Sequence, residues 1–196
     1  GLLERALPDL DVLAALAPAE RADVVRVRYA TGAGRPVAFR HPLLANAAVD
    51  SLSSDERRRL HAALADAVDD PVERATHLAT DVRPDEQLAA ALAAAAADAS
   101  ARGAIDTAVD LARAAVDATP SDGAPLLRAE RCLEHTELAT HAGRFAELPA
   151  LLTELRTALT ALPDDPARSS AHTEVVERAR YVETVVVAMT QGSRAA

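Results

Sequence analysis

The sequence predicts a mostly α-helical protein, in which a small domain with one β-hairpin is followed by a superhelix of antiparallel helical hairpins. Three observations lead to this fold class. Hydrophobic residues make up 49% of the chain and aromatic residues only 2%, and the abundant alanine and leucine favour closely packed helices. Valine and arginine alternate with a period of two in residues 24–29, a pattern that indicates a strand. Glycine and proline recur at the borders of the remaining long helical segments.

Charge and cysteine content exclude several functional classes. The 196-residue chain has a net charge of −9, so it is not expected to bind nucleic acid through bulk electrostatics. A single cysteine, Cys132, excludes an internal disulfide and a cysteine-based zinc site, and we expect it to be a buried helical residue. The longest apolar run, residues 88–97, is too short to span a bilayer. We therefore expect a cytoplasmic protein with no membrane partner.

A β-hairpin is the central prediction for the first domain, residues 1–68. Residues 24–29 (VVRVRY) alternate valine and arginine, the glycines of TGAGRP favour a turn, and residues 37–39 (VAF) form the return strand. A hairpin packed against short helices is typical of a winged-helix domain. The accompanying elements are one or two helices at 2–17, a turn or short helix at 18–23, and helices at 42–51 and 53–68.

Chemical signals mark the start of both helices that follow the hairpin. Pro42 stands where a first helical residue is expected, because its φ is already helical and its missing N–H would be unpaired there. Ser53 and Glu56 have the spacing of a capping box. The two signals predict a sharp change from strand to helix immediately after His41.

Residues 69–196 are predicted to be helical, with short connections that make neighbouring helices antiparallel. Gly103 and Gly143 suit the left-handed conformation that ends a helix. A weak repeat relates 101–120 to 141–163 at an offset of about 40 residues, longer than the roughly 34 of tetratricopeptide repeats. We therefore predict a tetratricopeptide-like superhelix with irregular repeats. Its helices are expected near residues 71–80, 84–102, 104–118, 124–142, 144–162 and 166–190.

The last predicted helix carries an apolar stripe and three consecutive valines at 185–187. A helical array that ends without a polar cap exposes an apolar flank. We expect this flank to be a homodimer contact or the seat of a further repeat. The stripe consists of Ala171, Val175, Ala179, Val182, Val186 and Met189.

Four ordered motifs resemble the large ATP-dependent LuxR-type transcriptional regulators of actinobacteria, which are signal-transducing ATPases. The resemblance covers about residues 20–120, and the motifs are specific as a set rather than singly. They read Phe-x-His-Pro-Leu, Arg-x-x-Leu-His, Ala-x-His-Leu-Ala and Arg-Gly-Ala, here at residues 39–43, 57–61, 75–79 and 102–104.

The resemblance implies a longer parent protein. In that family a nucleotide-binding module precedes a winged helix, a helical-repeat sensor region and a C-terminal helix-turn-helix. This sequence contains no phosphate-binding loop of the G-x-x-x-x-G-K-[ST] type and no basic recognition helix. We therefore expect the middle of such a regulator, with ATP or ADP bound only by the parent protein and DNA bound only through a separate C-terminal domain.

His41 is the candidate nucleotide-sensing residue of the parent protein. Its surroundings resemble the Met-His-Asp-Leu-Leu signature of related ATPases, whose histidine contacts the nucleotide phosphate; here Pro42 stands in place of the aspartate. An imidazole at this junction can donate a hydrogen bond to a phosphate. The alternative is that His41 only satisfies backbone groups at the strand–helix turn.

Arg57, Arg58 and Arg59 are candidates for an interdomain contact. Cations in the first turns of a helix oppose its dipole, which hints at an acidic partner or a phosphate. The alternative is a solvated face offset by Asp55 and Glu56.

Other polar groups give no catalytic or metal site. His61 and His77 are interpreted as partly buried structural histidines. Two pairs at i,i+4 spacing could clamp a metal but lack a third ligand in sequence reach, so no metal site is predicted. These pairs are His77 with Asp81 and Glu137 with His141.

The sequence therefore predicts a signal-sensing and coupling region rather than an enzyme. The helical array would bind a protein or small-molecule inducer, and the winged helix would relay the resulting shift to the ATPase. The alternative is a stand-alone adaptor that binds a partner peptide in the groove of its repeats. A phosphate loop upstream and a helix-turn-helix downstream in the same reading frame would discriminate between the two.

Overall fold

Two groups of packed elements form the structure, a computed structural model that describes residues 1–27, 37–163 and 170–192. The first unit is Gly1–Asp81 and the second is Val82–Ala196. Within the described residues the structure is mostly helical, with ten α-helices and one two-stranded sheet. This confirms the predicted mostly α fold with a small β element.

The first unit combines five helices with the sheet. Helix α4 is its longest element and packs against both α1 and α5, while α2 and α3 flank the two strands. A short 3-10 turn, Ala79–Asp81, ends the unit. The elements are α1 Leu2–Ala6, α2 Val12–Arg21, β1 Val25–Val27, β2 Val37–Phe39, α3 Pro42–Asp50, α4 Ser54–Ala67 and α5 Pro71–Leu78.

The predicted hairpin is present. β1 and β2 pair antiparallel, with Val25 opposite Phe39 and Val27 opposite Val37. Val25 and Val27 are buried and Arg26 between them is exposed, as the valine–arginine alternation predicts for a strand with one covered face. The TGAGRP turn and the end of the first predicted strand lie outside the described residues.

Helix α2 differs from the prediction for residues 18–23. It continues through Pro18 to Arg21 instead of ending before the proline. Pro18 lacks the N–H that would bond back into the helix, and the chain leaves the helix one turn later. Asp23 then takes a positive φ of 56°, a conformation that aspartate tolerates better than most residues, and the chain enters β1.

The capping box of α4 forms as predicted. The Ser53 backbone N–H donates to Glu56 Oε2 at 2.9 Å, and the Glu56 N–H donates to Ser53 Oγ at 3.3 Å. The Ser53 hydroxyl also donates to Glu56 Oε2, at 2.6 Å, and this bond is the main cause that lowers the pKa of the Glu56 carboxyl, followed by the bond from the Ser53 backbone N–H. Two backbone donors that the helix itself cannot satisfy are thus paired.

Replacing Ser53 with alanine is expected to destabilise the first unit by about 1 kcal/mol, because the cap at the start of its longest helix is lost. Urea unfolding of the full chain, followed by circular dichroism, measures the change. Ser54→Ala is the matched control, since Ser54 is the first residue inside α4 and alanine is a good helix former there. Equal unfolding curves for the two variants would contradict a stabilising role for the cap.

The second unit is a row of helices in which each packs on the next. The Asp85 N–H donates to the Ala118 carbonyl oxygen at 2.8 Å, so the start of α6 meets the end of α7 and the two form an antiparallel pair. Helix α8 packs on α7, α9 and α10. The helices are α6 Glu86–Ala101, α7 Ile105–Ala118, α8 Pro125–His141, α9 Leu148–Thr160 and α10 Ser170–Gly192.

Glycine ends α6 and α8 as predicted. Gly103 has φ +79° and Gly143 has φ +72°, a conformation that carries no Cβ penalty only for glycine. The two repeats diverge after these glycines, because α7 begins at Ile105 whereas α9 begins at Leu148. Pro149 occupies the first turn of α9, and the chain between Gly143 and Leu148 forms a turn instead of the predicted helical start.

The core of the second unit consists of leucines at the helix contacts and alanines between them. Buried alanines let two helix backbones approach closely, and the leucines fill the remaining space. One charged side chain joins this interior: Arg131, 7% exposed, donates to Glu86 at 2.5 and 3.0 Å and to the Thr119 hydroxyl at 2.9 Å. The fully buried leucines are Leu92, Leu111, Leu133, Leu148 and Leu155.

The division between the units lies later than the predicted domain boundary at 68/69. Helix α5 packs on α4 and belongs to the first unit. Arg74 of α5 strengthens this contact by donating to the carbonyl oxygens of Ala65 and Val68 at 3.1 and 2.9 Å. These bonds satisfy carbonyls that the end of α4 leaves unpaired.

Helix α10 buries most of the predicted apolar stripe, at Val175, Ala179, Val182 and Val186, and Ala171 is half-buried. Its exposed apolar groups include Tyr181 (72%) and Val187 (40%). The side chain of Met189 lies outside the described residues. A homodimer contact or a further repeat on this helix stays a prediction. Among the described helices, none combines the length and the apolar character needed to cross a membrane.

Candidate functional site

A groove of about 660 Å³ runs across three helices of the second unit. Its walls come from α6, α8 and α10, which are every second helix of the row. The lining residues are Ala97, Ser100 and Ala101 from α6, Glu130, Glu134, Glu137, Leu138 and His141 from α8, and Ala171, Glu174, Val175 and Arg178 from α10.

Helical periodicity places the α8 side chains on the groove. Glu130, Glu134, Glu137 and His141 recur at spacings of three and four residues, so they share one face of the helix. The residues between them, including Cys132, His135 and Thr136, are buried. Helix α8 therefore supplies the groove with one face and the core with the other.

Carboxylates dominate the charge of the groove. Four glutamates line it against one arginine. Arg178 donates to both oxygens of Glu137, at 2.7 and 3.3 Å, and lies 4.0 Å from Glu174. Burial raises the pKa of the Glu134 carboxyl, and the nearby Glu137 raises it further. The charges of Arg178 and Arg131 act in the opposite direction, and a further cation bound beside Glu134 would favour its charged form.

The groove lining combines apolar and charged side chains. Ala97, Ala101, Leu138 and Val175 provide an apolar surface, and the small alanines leave room above α6. The carboxylates stand along this surface on α8 and α10. A lining of this kind suits a ligand that combines apolar surface with positively charged groups.

His41 has a structural task in the first unit. It is the N-cap of α3, and its Nδ1 accepts a hydrogen bond from the Leu43 N–H at 3.2 Å. Because Nδ1 accepts, the neutral ring carries its proton on Nε2. The side chain is exposed at the strand–helix junction, and nucleotide sensing by His41 in a parent protein stays a prediction.

The three consecutive arginines of α4 point to separate local partners. Arg57 donates to the Val49 carbonyl oxygen at 3.1 Å, and Arg58 forms an ion pair with Asp55. The charge of Arg59 helps to lower the pKa of Glu56. These contacts match the interpretation of a solvated face offset by acidic neighbours, and an interdomain contact of the three arginines stays a prediction.

His61 and His77 form a contact that the sequence analysis missed. Their Nδ1 atoms are 3.2 Å apart, which joins α4 to α5. Each residue was recognised separately in the Arg-x-x-Leu-His and Ala-x-His-Leu-Ala motifs, but no local spacing relates two residues on different helices. Burial is the main cause that lowers the pKa of His61. The charges of His77 and Arg57 lower it further.

Of the two metal pairs considered from spacing, His77 with Asp81 includes a side chain that lies outside the described residues. Among the side chains that the structure describes, no group of three or more histidine, cysteine, aspartate or glutamate residues could hold a metal ion. Glu137 and His141 both line the groove. Cys132 is buried as predicted, and burial raises the pKa of its thiol to about 11.

No family model, curated protein or solved structure was found to match this chain. The site is therefore defined by its own geometry.

Proposed function

We propose that this chain is the signal-sensing and coupling region of a LuxR-type ATP-dependent transcriptional regulator. Its second unit binds a protein or small-molecule inducer in the groove between α6, α8 and α10. Its first unit, as a winged-helix-like domain, relays the bound state to an ATPase module that binds ATP or ADP, and DNA is bound by a separate domain.

The groove is the observation that carries this proposal. It is lined by alternate helices of a row in which neighbours pack in sequence. Alternate helices line the inner surface of a tetratricopeptide-like superhelix, and such surfaces serve as binding sites in helical-repeat proteins. The β-hairpin flanked by short helices supports a winged-helix-like first unit.

The charge of the groove favours an inducer with positively charged groups. Four carboxylates and one guanidinium leave it negative, and Glu134 is partly removed from water. Amine and guanidinium groups pair with carboxylates most strongly where water is excluded. We therefore expect an arginine- or lysine-bearing segment of a protein, or a small cationic molecule.

A fluorescent hexa-arginine peptide tests this site in the full chain. Glu134→Gln is expected to weaken its binding about tenfold, equivalent to about 1.4 kcal/mol, because the groove loses a carboxylate that is partly removed from water. Fluorescence anisotropy at near-physiological salt measures the affinity.

The matched control is Glu177→Gln, which makes the same change in net charge on the exposed surface of α10, away from the groove lining. A chain of net charge −9 attracts polycations everywhere, and only the difference between the two variants reports the groove. Equal weakening by both variants would contradict binding in the groove.

The coupling part of the proposal has its own test. The reading frame that encodes this chain should contain a phosphate-loop sequence upstream and a helix-turn-helix downstream. Stop codons directly before and after this region in the reading frame would contradict the role in a regulator, whatever the groove binds.

A further inference from the structure

The His61–His77 contact has the geometry of a hydrogen bond between two imidazoles. The Nδ1 atoms are 3.2 Å apart and the ring centroids 5.4 Å apart, with the ring planes tilted by 50°. The centroid separation is close to the largest that this nitrogen–nitrogen distance allows, so each Nδ1 points toward the other. Two ligands of one metal ion would instead converge on a point beside the line between them.

The number of protons on the two rings determines whether the hydrogen bond between them can form. In the neutral pair one ring donates its Nδ1–H and the other accepts through its Nδ1 lone pair. A first added proton goes to the outer nitrogen of the donor, and the hydrogen bond remains. A second added proton must occupy the remaining Nδ1, so that two N–H groups and two positive charges then face each other.

We propose that the His61–His77 pair is a pH-sensitive latch, which holds α5 against α4 while at most one of the two rings is charged and releases it when both are.

The surrounding charges oppose double protonation. Arg57 lies one turn before His61 on α4, and its positive charge lowers the pKa of His61 together with burial and His77. Arg74 is the other cation on α5, and its guanidinium is engaged with the end of α4.

Other titratable groups on the elements around the pair are Glu73 on α5, and Glu4 and Arg5 on α1; the side chain of Asp81 in the 3-10 turn lies outside the described residues. Glu4 pairs with the N-terminal amine and Arg5 with Asp69. None of the described carboxylates is among the groups that shift the pKa of His61. The described charges that act on His61 are thus all positive.

The position of the pair gives the latch a mechanical effect. His61 is in the middle of α4, and His77 is in the last turn of α5. Arg74, which precedes His77 by three residues in α5, is bonded to carbonyl oxygens at the C-terminal end of α4. Release of the histidines alone would let the last turn of α5 and the following 3-10 turn move while the start of the helix stays in place.

NMR of the full-length wild-type chain tests the hydrogen bond directly. Near neutral pH the imidazole nitrogen shifts should identify one ring protonated at Nδ1 and the other at Nε2. Two rings that both carry the proton on Nε2 would overturn the proposal.

Amide hydrogen exchange tests the release. Between pH 7.5 and about pH 4.5, exchange of residues 76–81 in the wild type should rise about tenfold after correction for intrinsic exchange rates. His77→Gln, which keeps a polar partner for His61 but cannot be charged, should abolish this rise, whereas the control His41→Gln should retain it. A rise of equal size in His77→Gln would overturn the proposal.

Zinc distinguishes a chelating site from the latch. Addition of Zn²⁺ near neutral pH should leave the nitrogen shifts of both rings unchanged. Displacement of both shifts at micromolar Zn²⁺ would assign the pair to metal binding and overturn the latch.

Discussion

Replacing Leu133 with alanine is expected to lower the free energy of unfolding of the second unit by about 2–5 kcal/mol. Leu133 is 1% exposed and lies at the centre of α8, the helix that contacts α7, α9 and α10. Its removal deletes buried apolar surface and leaves a cavity that surrounding alanines are too short to fill. The loss is therefore expected near the upper part of that range.

Urea unfolding of the full chain measures the total change, and hydrogen exchange of α7, α8 and α9 assigns it to the second unit. Leu127→Ala on the same helix is the control, because Leu127 is 37% exposed and its truncation leaves no closed cavity. Loss of stability in Leu127→Ala as large as in Leu133→Ala would show that α8 is not the central helix of the packing.

Acidification from about pH 6.5 to about pH 4 is expected to destabilise the second unit by about 2–3 kcal/mol through His135 alone. Burial lowers the pKa of His135 from 6.5 to about 4, with Arg113 as the next cause. The unfolded chain takes up a proton near the ordinary pKa, whereas the folded chain does so only near pH 4. The unfolded state therefore binds more protons in this window, and stability falls as the pH falls.

The slope of unfolding free energy against pH checks this expectation. His135→Gln removes the titrating group and should flatten the slope over the window, even if it lowers stability at neutral pH. His141→Gln, which removes an exposed histidine from the end of the same helix, should keep the slope. A wild-type slope retained in His135→Gln would contradict the assignment.

Local signals predicted the helix borders and the hairpin well. The capping box at Ser53, the left-handed glycines Gly103 and Gly143, and the valine alternation of β1 all act within a few residues. Their effect on the backbone depends little on the rest of the fold. Helix α2 extends beyond residue 17, where the predicted helices end, because proline weakens a helix but does not end it immediately.

The sequence predicted that the repeats would form a binding groove, but it did not predict which residues line the groove. Ser100, Glu134 and Glu174 are each separated by at least one intervening helix in the sequence, and only the stacking of the helices brings them to one surface. The His61–His77 contact has the same origin, because it depends on the angle at which α5 returns along α4. Buried Arg131 was missed as well, since its partner Glu86 lies 45 positions away.

Buried alanines fill the contact between α6 and α7. Ala89, Ala96, Ala108 and Ala115 are at most 1% exposed, and a methyl group has no alternative rotamer to adopt. No rotamer change can therefore accommodate a shift at these four positions, and the two helices can move against each other there only if their backbones move.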